Sequence, residues 1–169
     1  PDWQILDFGG GFGYPYNPQG AAFNWEEFGL AINRKLSSIQ PKIELVIEPG
    51  RAVIASCGTL LARVVSIKWQ EGKQIVGVDT TVANLSVPAV HGGDRRIVTW
   101  VEKPPLYPTD ICGNTTYSRD YLGRNCQLPA LQIGDAIAIL DTGAYGYAMS
   151  SHFLHRPRPA EVLIENNTH

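Results

Sequence analysis

The sequence predicts an α/β layer that gives way, near residue 57, to a mostly antiparallel β domain. Two strand-like runs, residues 3–8 and 43–47, flank a helical stripe, which is the strand, loop, helix, strand order of parallel α/β architecture. Beyond residue 58 the runs become β-branched and Leu-rich and are separated by turn residues. The 17 Gly and 12 Pro fall between these runs and form no low-complexity block. With 169 residues, 44% of them hydrophobic, the chain is long enough to bury a real core.

Each element has a local reason. The run 3–8 reads as a buried strand that enters the cluster Gly9-Gly10-Gly11-Phe12-Gly13, and Tyr14 to Gly20 is a Pro/Gly/Asn loop. Asn24 offers a helix cap, with Glu27 three residues on to answer it. Phe28, Ala31, Ile32, Leu36 and Ile39 follow at helical spacing, broken by Lys35, and Pro41 stops the helix. The second strand, 43–47, ends at Glu48-Pro49-Gly50-Arg51. Residues 59–69 and 74–79, split by Glu71-Gly72-Lys73, predict a hairpin. Further strands are expected over 96–102, 131–140 and 160–164, and a short helix around 144–150.

Charge and composition exclude several functions. Lys+Arg 14 against Asp+Glu 16 gives a net charge of -2, without the basic footprint of a nucleic-acid binder. No run approaches 18 apolar residues and no basic-then-apolar leader opens the text, so no membrane partner is expected. Cys57, Cys112 and Cys126 form no C-x-x-C pair, and an odd count points to free thiols in a reducing, cytoplasmic compartment. His152 and His155 beside Arg156 and Arg158 make a basic segment, not a metal site. His91, Asp79 and Asp94 read as turn residues, and Asn166-Asn167-Thr168 as an accidental sequon. The text opens at Pro1 in mid-strand, as a piece of a longer protein would.

Three clusters carry chemistry. Glycines after a strand let backbone N–H groups converge on an anion, although a tight turn needs the same residues. No G-x-G-x-x-G register fits there. Glu48-Pro49-Gly50-Arg51 stands at a strand's carboxyl end, where α/β folds hold ligands, and Arg51 is a cationic fork suited to phosphate. The competing reading, a structural Glu–Arg pair closing the strand, carries less weight here. In Asp141-Thr142-Gly143-Ala144-Tyr145 a strand breaks into a turn and exposes a tyrosine, either for a ligand or for packing.

The ordered set "LDFGGGFG", "EPGR", "GxxxYSRDYL" and "DTGAYGYAMSSHFLHRPRPAEVLI" resembles the pyridoxal-phosphate decarboxylases of the diaminopimelate and ornithine decarboxylase family. The last segment is closest to the diaminopimelate branch. The resemblance implies the last strands of a TIM-like β/α barrel over residues 1–56 and a Greek-key-like β domain over 57–169. It implies pyridoxal 5'-phosphate as cofactor and decarboxylation of a small-molecule substrate, an amino acid or an amino-acid derivative. Gly9, Gly10 and Gly11 match the phosphate-binding glycine loop, Glu48 the carboxylate on the pyridine nitrogen, Gly50 and Arg51 further phosphate and substrate contacts, and Tyr145 a phosphate-reaching tyrosine. Asp120 matches the aspartate that closes the family's cysteine motif. The family works as a homodimer with sites formed between subunits, the Thr116–Asp120 loop reaching across.

Departures are informative. The family's cysteine falls on Thr116, and its acidic neighbour, which reads a distal amino group, falls on Tyr117. Threonine titrates too high to be a ready acid. A tyrosine where a carboxylate should meet an ammonium argues against plain diaminopimelate, ornithine or lysine, and favours a neutral, carrier-bound or specialised substrate. Lys35, Lys42, Lys68, Lys73 and Lys103 lie in no motif matching the family's Schiff-base lysine. That residue is expected in an N-terminal barrel segment beyond this text, and these 169 residues alone should be inactive. The rival expectation is a non-catalytic binding or assembly module built on the same fold.

Overall fold

The computed structural model describes residues 3–39, 43–92 and 95–165. It begins with a parallel pair, β1 (Ile5–Asp7) and β2 (Glu44–Val46), joined by helix α1 (Trp25–Leu36). Asn24 caps α1 by accepting a hydrogen bond from the Glu27 N–H at 3.0 Å, and the Glu27 carboxylate accepts one from the Asn24 side-chain amide at 3.3 Å. The helix stops at Ser37; Pro41, expected to end it, lies outside the described residues.

The expected burial of the first strand does not hold. Trp3 and Ile5 are 57% and 59% exposed, because one helix can cover only one face of a two-stranded sheet. What apolar packing there is gathers at the glycine loop, where Phe12, Phe23, Trp25 and Phe28 meet with ring centroids 4.7–6.5 Å apart.

After β2 comes a short helix, α2 (Gly50–Ile54), and one 3₁₀ turn (Ala55–Cys57). A six-stranded sheet then holds the core. Its strands are β3 (Leu60–Gln70), β4 (Lys73–Val78), β5 (Ile97–Thr99), β6 (Leu106–Cys112), β7 (Tyr121–Pro129) and β8 (Ala136–Ile139), in the order β5-β8-β3-β4-β6-β7. A short helix, α3 (Val87–His91), lies between β4 and β5. All neighbours are antiparallel except β4 and β6, which run parallel and so need the crossover that contains α3 and β5.

The hairpin expected over 59–79 is present, turning at Glu71 (φ 50°) and Gly72 (φ 79°), the double positive φ of a two-residue hairpin loop. β3 pairs with β8 through Leu60–Arg63 and with β4 through Val64–Gln70, and a bulge between Val64 and Ser66 marks the change of partner. The sheet therefore coils, and its edges approach: Ile97 of β5 fills the space a side chain on Gly123 of β7 would need. Inside this nearly closed sheet lie Val64, Val76, Val78, Ile111, Ile137 and Ile139, each fully buried. Burial alternates along β4, with Gln74, Val76 and Val78 pointing in.

Several strand expectations change. Only 97–99 of the run 96–102, and only 136–139 of 131–140, are strand; in the latter the chain first turns at Ile133–Gly134, where the Asp135 N–H donates to the Gln132 carbonyl. Residues 160–164 join no sheet among the described residues, and Val162, Leu163 and Ile164 are more than 80% exposed. The helix expected over 144–150 is reduced to a 3₁₀ turn at Tyr147–Met149, since Tyr145 takes φ 58° and Gly146 leaves helical geometry.

Candidate functional site

The glycine cluster and the Glu48 segment form one wall. The Glu48 N–H donates to the Gly9 carbonyl at 2.8 Å, continuing the β1–β2 ladder past its last residues. The Asp7 carboxylate accepts from the Gly9 N–H at 2.7 Å and turns the loop. Gly9 and Gly11 take φ +64° and +90°, and a Cβ on Gly10 would sit 3.0 Å from the Glu48 carbonyl oxygen. Side chains are thereby excluded, and bare exposed backbone faces outward at Gly10 and Gly11. A pocket of about 270 Å³, lined by Phe8, Gly10, Gly11, Phe12, Phe23 and Phe28, flanks the loop.

The opposite wall comes from the sheet. At the end of β8 the chain turns at Asp141 (φ 58°) and reaches Tyr145 (φ 58°). Positive φ on a bulky tyrosine is strained backbone, a condition that clusters at ligand sites. The Gly143 N–H donates to the Ala55 carbonyl at 3.0 Å, and a Cβ on Gly143 would overlap the Ile54 carbonyl oxygen. That close approach seats the turn against the end of α2, and α2 starts with Gly50 and Arg51. The Arg51 guanidinium consequently lies over the Tyr145 ring, 5.6 Å from its centroid. Glu48, Gly50, Arg51 and Tyr145 are all exposed around the glycine loop. Of the predicted site residues, Gly9, Gly10, Gly11, Glu48, Gly50, Arg51 and Tyr145 are thus brought together.

Four neighbours in this region had no role assigned from sequence. The Tyr14 hydroxyl donates to the Asp141 carboxylate at 2.7 Å. That bond, then burial, holds the Tyr14 pKa above the usual phenol value. Tyr14 and Tyr16 stack edge to face at 5.0 Å, and the buried Arg95 guanidinium lies 3.5 Å from the Tyr16 ring centroid. Burial lowers the Arg95 pKa, while Tyr16 and Asp141 oppose the shift. The Tyr16 hydroxyl is buried with no hydrogen-bond partner among the described residues. Tyr14-Pro15-Tyr16 directly after the glycines was the available signal, but its partners are 79 to 127 positions away in sequence.

Thr116, Tyr117 and Asp120 occupy a different region. Asp120 is buried, and its carboxylate accepts from the Thr81 hydroxyl, the Val82 N–H and both donors of Thr115. It holds the loop from inside instead of facing open space. Thr116 and Tyr117 ride on that loop, exposed, and the Tyr117 ring packs edge-on against Phe153 at 6.5 Å. The loop is tied to Thr80 through the Asn114 N–H and to Arg156 through the Asn114 carbonyl. Among the described residues no group of three or more His, Cys, Asp or Glu could hold a metal ion, and no helix is long and apolar enough to cross a membrane.

Comparison with known proteins supplies the family. Residues 14–143 match the model described as pyridoxal-dependent decarboxylase, C-terminal sheet domain. A diaminopimelate decarboxylase from Methanothermobacter thermautotrophicus is 37% identical over 171 residues, covering 96% of this chain and 40% of that protein. The crystal structure of diaminopimelate decarboxylase from M. jannaschii in co-complex with L-lysine superposes with a TM-score of 0.85 at 30% identity, over 92% of this chain and 37% of that one. A lysine/ornithine decarboxylase from Vibrio vulnificus complexed with cadaverine gives 0.82 at 28% identity, over 94% and 42%. The chain spans about two-fifths of the length of these relatives. A coiled six-stranded sheet, a glycine loop locked to Glu48 and a family match over most of the chain lead to one assignment: this chain belongs to the pyridoxal-dependent decarboxylases and matches their C-terminal sheet domain.

Proposed function

We propose that the protein carrying this sequence is a pyridoxal-phosphate-dependent decarboxylase acting on an amino acid or an amino-acid derivative. The observation that carries this reading is the single cluster of bare glycine backbone, Arg51, Tyr145 and Glu48. Its donor set suits the cofactor: Gly10 and Gly11 present backbone without side chains, Arg51 a permanent cation and Tyr145 a hydroxyl, a combination fitted to a phosphate dianion. The exposed Glu48 carboxylate, beside the glycines, suits a protonated pyridine nitrogen. When bound, the cofactor supplies an electron sink for the carbanion left by loss of CO₂. This chain's part is to hold the phosphate, keep the ring nitrogen protonated through Glu48, and shape the substrate's distal end.

In this reading residues 1–56 complete a β/α barrel and residues 57–169 form the Greek-key-like sheet domain. The cofactor-linking lysine comes from sequence outside these 169 residues, which leaves them inactive by themselves. The Thr116–Asp120 loop is bound to Thr80–Val82 and Arg156, while the cradle is bound to α2 and the Asp141 turn. That separation supports a homodimer in which each loop serves the other subunit's cradle. Tyr117 supports a substrate whose distal end is not a free ammonium.

The test is a titration of the full-length protein with pyridoxal phosphate, followed by visible absorption. A saturable band in the wild type, weakened by Gly10→Val, supports the proposal. No band in the full-length protein discards it and leaves the non-catalytic module.

A further inference from the structure

We infer that Tyr14 and Asp141 form a positioning latch that sets the two walls of the anion cradle against each other. The inference rests on the cofactor reading above. It assigns to these two residues a task distinct from touching the ligand.

The two walls come from opposite ends of the sequence. One is the loop after β1, which carries Gly9, Gly10 and Gly11; the other is the turn after β8, which carries Tyr145. Glu48 fastens the glycine loop to the β2 side. Across the gap, the Tyr14 hydroxyl reaches the Asp141 carboxylate at 2.7 Å, a charge-assisted bond between residues 127 positions apart. Tyr14 is three residues past Gly11, and Asp141 four before Tyr145. Fixing this pair therefore fixes the spacing of the cradle.

The surroundings reinforce the pair. The Tyr16 N–H donates to the Tyr14 carbonyl at 3.0 Å, so the two tyrosines move together. Tyr16 is clamped by Arg95 at 3.5 Å, and Arg95 is 4% exposed in the approach to β5, which pairs with β8. The glycine loop is thus held to the sheet by a hydroxyl–carboxylate bond and a stacked guanidinium on adjacent turns. Asp141 sits at φ 58°, in the left-handed region, which aspartate tolerates better than most residues. At that point the carboxylate leaves β8 towards Tyr14, while the chain continues to Tyr145.

The test uses the full-length protein and two ligands, pyridoxal phosphate and pyridoxal, which differ by the phosphate. Tyr14→Phe removes one oxygen and keeps the ring stack; Asp141→Asn removes the charge and keeps the shape. Each should weaken pyridoxal phosphate binding about tenfold, with less than a twofold change for pyridoxal. The double variant should be no weaker than either single one. Near-UV circular dichroism identifies any variant that loses its fold, and the other variant then decides. Unchanged pyridoxal phosphate affinity in a folded variant overturns the latch alone, and equal loss for both ligands reduces it to ordinary structural support. A wild type that binds neither ligand overturns the cofactor reading and the latch with it.

Discussion

Thr115 grips the Asp120 carboxylate twice, through its backbone N–H at 3.0 Å and through its hydroxyl. Thr81 and Val82 approach the same carboxylate from the crossover after β4, so one side chain joins two segments 38 and 39 residues apart. Asp120→Asn keeps the volume but turns an amide NH₂ towards one of these donors. The loss should be about 2–4 kcal/mol, since a buried donor is left facing another donor. Urea denaturation of the full-length protein measures it; a loss under about 0.5 kcal/mol would show that the loop does not depend on this carboxylate.

Gln74 fastens the sheet from within. Fully buried on β4, it donates to the Thr109 hydroxyl at 3.0 Å and the Pro129 carbonyl at 2.9 Å, and accepts from the Leu131 N–H at 2.9 Å. Gln74→Leu fits the space but orphans the Leu131 donor, and should cost about 2–4 kcal/mol. Hydrogen exchange at Leu131 should accelerate more than exchange at the β3–β8 ladder. An even acceleration would mean global loosening instead.

The Lys73 ammonium meets the Asp110 carboxylate at 2.8 Å. Burial alone would raise the Asp110 pKa, but Lys73 and the Asn125 N–H outweigh it and hold the value below the ordinary carboxylate range. A folded-state pKa below the unfolded one gives stability that is present above about pH 4 and is lost as pH falls through the lower, folded value. Wild type and Lys73→Met should therefore differ in urea midpoint at pH 7, and the difference should shrink below about pH 4. A pH-independent difference would assign the effect to packing of the lysine stem.

Tyr117 is 46% exposed and uncharged where the related decarboxylases are expected to present a carboxylate. If the full-length protein has the proposed decarboxylase activity, Tyr117→Glu should raise its kcat/KM for diamino acids at least tenfold relative to the wild type. A ratio left unchanged would show that this position does not set substrate choice.

The sequence announced what depends on local chemistry. Asn24 and Glu27 cap α1 as their spacing says, and Glu71-Gly72 turns the β3–β4 hairpin. Gly9–Gly11 and Glu48–Arg51, which the fold sets side by side, stood out for the same reason, because each ends a strand. β6 and β7 were hidden. Pro105, Pro108, Gly123 and Pro129 interrupt their apolar pattern, and the pairing that makes them strands lies in the tertiary fold. Arg95 and Asp141 were hidden as well, because each acquires its meaning from a tyrosine far earlier in the chain, Tyr16 and Tyr14 respectively. The run 160–164 misled in the other direction: its composition suits a strand, but strand structure needs a neighbour to pair with, and the described residues provide none.

The parallel pairing of β4 with β6 has a consequence for the order in which the sheet assembles. The hairpins β3–β4 and β6–β7 can each close from nearby sequence, within microseconds for short turns. Joining them requires the whole stretch from Asp79 to Pro105 to be traversed first, at the entropic cost of a long loop. Gln74, Thr109 and Pro129 straddle that late seam, so their buried hydrogen bonds form only once both hairpins have docked. Substitutions there should leave the folding rate nearly unchanged and speed unfolding, which makes the seam the place where the sheet would first come apart.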